Sequence, residues 1–151
     1  MSELKTLYQD LILDHNKNPR NFKKLTNANR HAEGYNPLCG DQYTIYVQVE
    51  NDIIQEVGFE GSGCAISKAS ASVMSSLLKG KTVAEAEELI TLFQKLVTGT
   101  ANPMEETDRV GKLAAFAGVS EFPARVKCAS LAWHTLRAAL EDKEQVVSTE
   151  V

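Results

Sequence analysis

The sequence contains no apolar run long enough to span a bilayer, and its opening stretch, MSELKTLYQDLILDHN, places a charge every few positions. That excludes a membrane helix and leaves no continuous apolar core for a secretory signal, so the chain is expected to work in the cytoplasm, away from membranes. A basic excess is also missing: 16 lysines and arginines face 20 aspartates and glutamates, for a formal net charge of -4. Nucleic acid is therefore not an expected partner. Proline is scarce, and no repeat, linker or low-complexity segment divides the 151 positions, so the chain reads as one domain, 1–151, with a single core. Cysteine is scarce too. Three cysteines, an odd number at wide separations, do not make a disulfide framework and point to reduced thiols that pack, react or bind metal.

What is present falls into a clear order. Leu4, Leu7, Tyr8, Leu11 and Ile12 recur at helical spacing behind Ser2, and Pro19 stops the pattern. Residues 43–50 alternate apolar and polar, Asn51-Asp52 makes a turn, and IIQEVGFE follows, which together predict an antiparallel hairpin. The segment from His31 to Tyr35 adds a third strand. After Gly61-Ser62-Gly63 the period becomes helical, with Ile66, Ala69, Val73 and Leu77 on one face and Gly80 as a stop. Thr82 and Glu85 have the spacing of a capping box for a further helix that ends at Gly99. Residues 100–121 are mixed, with a short helical stretch near Arg109 to Ala117 and an exposed, polar piece at Met104–Asp108. A last helix begins at Pro123, and residues 142–151 read as a flexible, polar tail. Strands early and helices late predict an α+β fold, a small antiparallel three-stranded sheet covered by helices.

The thiols occupy particular places in this order. Cys39 lies in the loop before the first long strand, Cys64 at a helix N-terminus behind a glycine-rich turn, and Cys128 about one and a half turns into the last helix. Unpaired N–H groups at a helix N-terminus favour a thiolate. Asp41 adds an oxygen in the loop of Cys39. Three thiolates and a carboxylate form the closed donor set that zinc prefers, while sulfur-rich ligation also suits an iron-sulfur cluster. Isolated cysteines without CxxC pairing also serve as small buried hydrophobes, so spacing alone leaves packing and metal binding both open. His15, His31 and His134 stand outside the cysteine segments and read as core or surface residues, and Trp133 as packing.

HNKNPRNF (15–22), NPLCGD (36–41), GSGCAISKAS (61–70) and FPARVKCASLAW (122–133) resemble the signature segments of the IscU/SufU/NifU N-terminal family of iron-sulfur cluster assembly proteins. The resemblance spans residues 3 to 141 and implies the fold just described. Carried over by position, it makes Cys39, Asp41, Cys64 and Cys128 the metal site. Scaffold-type members have a histidine directly before the third cysteine and a chaperone-docking Leu-Pro-Pro-Val-Lys motif just upstream. Here Lys127 stands in the histidine's place, FPARVK replaces the motif, and roughly twenty extra residues lie near 99–121. These departures resemble the SufU branch.

Membership in that branch implies a zinc-dependent sulfurtransferase that accepts persulfide sulfur from a pyridoxal-phosphate cysteine desulfurase, SufS, and passes it toward downstream Suf assembly proteins. Cys39, in a loop flanked by Pro37 and Gly40, is the expected acceptor, with Cys64 and Cys128 as anchors on helices. Arg125, three residues before Cys128 on the same helical face, is expected to support the negative charge of the site or of the docked donor. The alternative is a scaffold on which transient iron or a [2Fe-2S] cluster is assembled and handed on.

Overall fold

The computed structural model describes residues 2–37, 40–99, 113, 115–116, 123–141 and 146–148. Its elements are α1 (Ser2–Lys17), β1 (Arg30–Asn36), β2 (Asp41–Glu50), β3 (Ile53–Ser62), α2 (Ala65–Leu78), α3 (Val83–Val97), α4 (Pro123–Leu140) and β4 (Val146–Ser148). As expected, β1, β2 and β3 form a three-stranded antiparallel sheet with β2 in the middle. The Asn51-Asp52 turn joins β2 to β3 with φ of 55° and 62° at its two residues, the left-handed pair that matches strand twist in a two-residue hairpin.

Strand pleat decides what faces the helices. On β2 the inward row is Asp41, Tyr43, Ile45, Val47 and Val49; on β1 it is Ala32, Gly34 and Asn36. The polar residues Asn36 and Asp41 thus share the buried face of their apolar neighbours, at one end of the sheet. α4 lies across β1 and β2, and α2 packs against β3 and α4. The close seat of α4 requires Gly34: a Cβ there would lie 2.0 Å from the Thr135 hydroxyl oxygen. Outside α4 comes α3, whose Phe93 ring stacks on Trp133 at 4.5 Å between centroids. The predicted capping box starts α3, with the Glu85 N–H donating to the Thr82 hydroxyl at 3.1 Å and the Thr82 N–H to the Glu85 carboxylate at 3.0 Å.

On the apolar face of α2 that spacing predicts, Ala69 and Val73 are buried and Ile66 and Leu77 partly so, yet Ser67, Ser70, Ser72 and Ser75 are buried too. The segment HNKNPRNF covers part of that polar side. His15 Nδ1 lies 2.7 Å from the Ser72 hydroxyl, which also accepts the Arg20 N–H at 2.8 Å. Asn21 donates to the Ser75 hydroxyl at 3.1 Å, and that hydroxyl donates to the Arg20 carbonyl at 3.1 Å. These bonds fasten the end of α1 and the turn after it onto α2.

One expectation changes. The polar tail 142–151 contains a strand: Val146–Ser148 pairs parallel with β1, Glu33 opposite Val146 and Tyr35 opposite Ser148, and extends the sheet at its β1 edge. Within the mixed stretch 100–121, Leu113 and Phe116, which fall in the expected short helical piece, are fully buried, and Phe116 meets Phe93 edge-on at 5.7 Å. The exposed piece expected at Met104–Asp108 lies outside the described residues. Among the described residues no helix is long and apolar enough to cross a membrane.

Candidate metal centre

The end of the sheet where Asn36 and Asp41 face inward is also where α2 begins and where the second turn of α4 passes. Asn36 and Asp41 stand directly opposite one another in the β1–β2 register, and the Gly40 N–H donates to the Asn36 carbonyl at 2.9 Å, closing the hairpin. Cys64 is the N-cap of α2, with φ -71° and ψ 170°. Cys128, on α4, is buried. A carboxylate oxygen of Asp41 and the Sγ atoms of Cys64 and Cys128 all lie within 4.8 Å of one another.

Each group is held by a hydrogen-bonding neighbour. Asp41 is fully buried; its Oδ1 accepts the Cys64 N–H at 2.8 Å and its Oδ2 accepts Asn36 Nδ2 at 3.2 Å. Cys64 Sγ accepts the Ser67 N–H at 3.5 Å, the bond that a serine or threonine makes at a helix N-cap. Cys128 Sγ accepts Asn36 Nδ2 at 3.7 Å. The room for this arrangement comes from Gly63, where a Cβ would lie 2.6 Å from both Asp41 Oδ1 and the Tyr43 hydroxyl. The Tyr43 hydroxyl sits 3.1 Å from that of Ser67. Burial, opposed by the Ser67 hydrogen bond and reinforced by the negative groups Asp41, Cys64 and Cys128, pushes this phenol up to about 12. It is a neutral wall of the site at physiological pH.

The donor set suits a metal. Zinc–sulfur bonds of about 2.3 Å give a tetrahedral site edges of about 3.8 Å, so donors within 4.8 Å of one another stand within about an ångström of that geometry. Two sulfurs and one oxygen leave one of four positions to another ligand. Cys39, the expected fourth, lies outside the described residues; by sequence it is two positions before Asp41. Arg125 is exposed on the first turn of α4, and Lys127 is half-buried.

The histidines stay apart from this group, as their positions outside the cysteine segments suggested. His15 is buried against Ser72, and His31 is exposed, stacked on Tyr46. His134 is half-buried, and burial together with the Arg137 cation holds its pKa below the usual imidazole value. Sequence reasoning missed Asn36, which touches two of the three converging donors. Its signal was strand parity: Asn36, like Asp41, falls on an inward row where apolar residues belong.

The model of the NifU-like N terminal domain family matches residues 7–129, a stretch that includes all three cysteines and Asp41. The zinc-dependent sulfurtransferase SufU of Bacillus subtilis is 38% identical over 95% of this chain and 95% of its own. An iron-sulfur cluster assembly scaffold protein, IscU of Streptococcus pyogenes, is 36% identical over 93% of this chain and 87% of its own. A crystal structure from the thermophile Fervidobacterium islandicum, described as a candidate scaffold for the SUF system, superposes with a TM-score of 0.81 at 38% identity, covering 89% of this chain and 97% of that one. With a family model spanning most of the chain, relatives aligned nearly end to end and a common fold, this chain belongs to the NifU-like N-terminal domain family, alongside SufU and IscU proteins.

Proposed function

We propose that this protein is a zinc-dependent sulfurtransferase of iron-sulfur cluster assembly, which takes persulfide sulfur onto Cys39 from a pyridoxal-phosphate cysteine desulfurase of the SufS type. The observation that carries this reading is the convergence of Asp41, Cys64 and Cys128 from a strand end, a helix cap and a second helix into one cluster, with Asp41 and Cys128 buried and Cys64 half-buried. Together with Cys39 these residues would hold the metal. Bound there, zinc supplies a thiol kept deprotonated and shielded until the donor docks.

The rest follows from the chain itself. Asp41 and Cys128 belong to regular elements fixed by core packing and Cys64 caps α2, whereas Cys39 belongs by sequence to the connection between β1 and β2. It is the donor best suited to leave the cluster. The Cys39 thiolate attacks the outer sulfur of the donor's Cys–S–SH group; a new S–S bond forms at Cys39, the donor's S–S bond breaks, and the donor cysteine departs as thiolate. No net oxidant is needed. Arg125, exposed at the start of α4, supplies positive charge toward the docked donor. The sulfur then passes to downstream Suf assembly proteins in the cytoplasm.

Support for transfer over cluster scaffolding comes from Lys127, whose ammonium, one residue before Cys128, is no cluster ligand. Protein purified from cells is expected to carry one zinc per chain and to accelerate a SufS-type desulfurase. Labelled sulfur should appear on the parent chain and be absent from Cys39→Ala. Iron with acid-labile sulfide and no acceleration would establish the scaffold reading, with transient iron or a [2Fe-2S] cluster as cargo, and overturn this one.

A further inference from the structure

We propose that Asn36 is a positioning residue of the metal centre, its carboxamide tying the Asp41 carboxylate on the hairpin to the Cys128 sulfur on α4. The inference rests on the metal-site reading above and assigns a role that the donor set alone does not. Asn36 is fully buried. Its Nδ2 lies 3.2 Å from Asp41 Oδ2 and 3.7 Å from Cys128 Sγ, so its two amide hydrogens serve two prospective ligands on separate elements.

Backbone geometry makes this more than a chance contact. Asn36 is the last residue of β1, on its inward row, directly across the ladder from Asp41. It therefore moves with the carboxylate, and any shift of α4 along the sheet changes the amide–sulfur distance. Residue type matters as well. A carboxamide is a neutral donor of the right length; a carboxylate here would set a third negative group against Asp41 and Cys128, and an aliphatic side chain would leave both acceptors without this N–H. Bonds of this kind to ligand atoms fix their orientation and drain charge from sulfur, and their loss typically costs about 10–100-fold in metal affinity.

The test compares the full chain with Asn36→Ala and with Asn36→Leu, which preserves bulk, using variants whose far-ultraviolet circular dichroism matches the parent. Zinc affinity is measured by competition with a chromophoric chelator, and the cobalt(II) form is examined for its thiolate-to-metal absorption. The expected result is about a 10–100-fold weaker zinc affinity, with a shifted cobalt spectrum. A parent chain that binds neither metal would overturn the metal-site reading and this inference with it. Parent and variants binding equally, with identical cobalt spectra, would overturn the role of Asn36 alone; a purely structural asparagine would lower the melting temperature of the metal-free protein and leave metal affinity intact.

Discussion

Cys64 takes part in two arrangements with one side chain, and a single atom can separate them. As N-cap its sulfur accepts the Ser67 N–H at 3.5 Å; as a member of the cluster it lies with Asp41 and Cys128 within 4.8 Å. Serine is among the best N-caps but a poor partner for a thiolate-seeking metal. Cys64→Ser is therefore expected to leave the metal-free protein as stable as the parent, or more stable by up to about 1 kcal/mol, while zinc affinity falls at least tenfold. Urea denaturation of the metal-free chains and a chelator competition supply the two numbers, and loss of stability with intact affinity would reverse the assignment. The three converging donors were legible through the cysteine motifs and their resemblance to a known family, since their local placement alone left packing and metal binding both open. Asn36 opens the NPLCGD segment as well, yet what marks it as a site residue is strand parity alone. Its importance depends on which carboxylate and which sulfur the tertiary fold places around its amide.

At the scale of elements, the hairpin and the α3 cap were readable because their causes are local. Asn51 and Asp52 both adopt positive φ, and Thr82 and Glu85 close a box over four residues. The turn nonetheless retains some strain, since Asp52 at φ 62° carries a side chain where glycine is preferred. Asp52→Gly is expected to stabilise the protein by a few tenths of a kcal/mol up to about 1 kcal/mol, seen as a higher denaturation midpoint with an unchanged slope. The backbone carbonyl of Asp52, which accepts the Val83 N–H at 2.9 Å, remains available in the variant. Less local features escaped. β4 is three residues long and gains its identity only by pairing with β1, while the buried serines of α2 look like a solvent face until HNKNPRNF folds over Ser72 and Ser75. Leu113 and Phe116 belong to the core because Phe93, far off in sequence, offers Phe116 a ring.

For the whole molecule, the decisive property is that distant parts of the chain meet at one end of the sheet. The α+β architecture could be read from the order of strand and helix patterns, because periodicity depends on neighbours along the chain. The meeting point could not be read from spacing, because it depends on how α4 crosses β1 and β2; the cysteine motifs and their resemblance to a known family supplied it instead. The same crossing arranges the one tryptophan, Trp133, which lies on α4, stacks on Phe93 of α3, and donates its indole N–H to Ser70 of α2 at 3.0 Å. That contact gives the protein a built-in optical gauge. Indole emission should be blue-shifted in the native state and move to the red only when all three helices separate. Tracked beside far-ultraviolet circular dichroism in a urea titration, the two signals are expected to coincide, as a single cooperative core requires. An emission change that precedes the loss of helix would mean that the helices part before they melt.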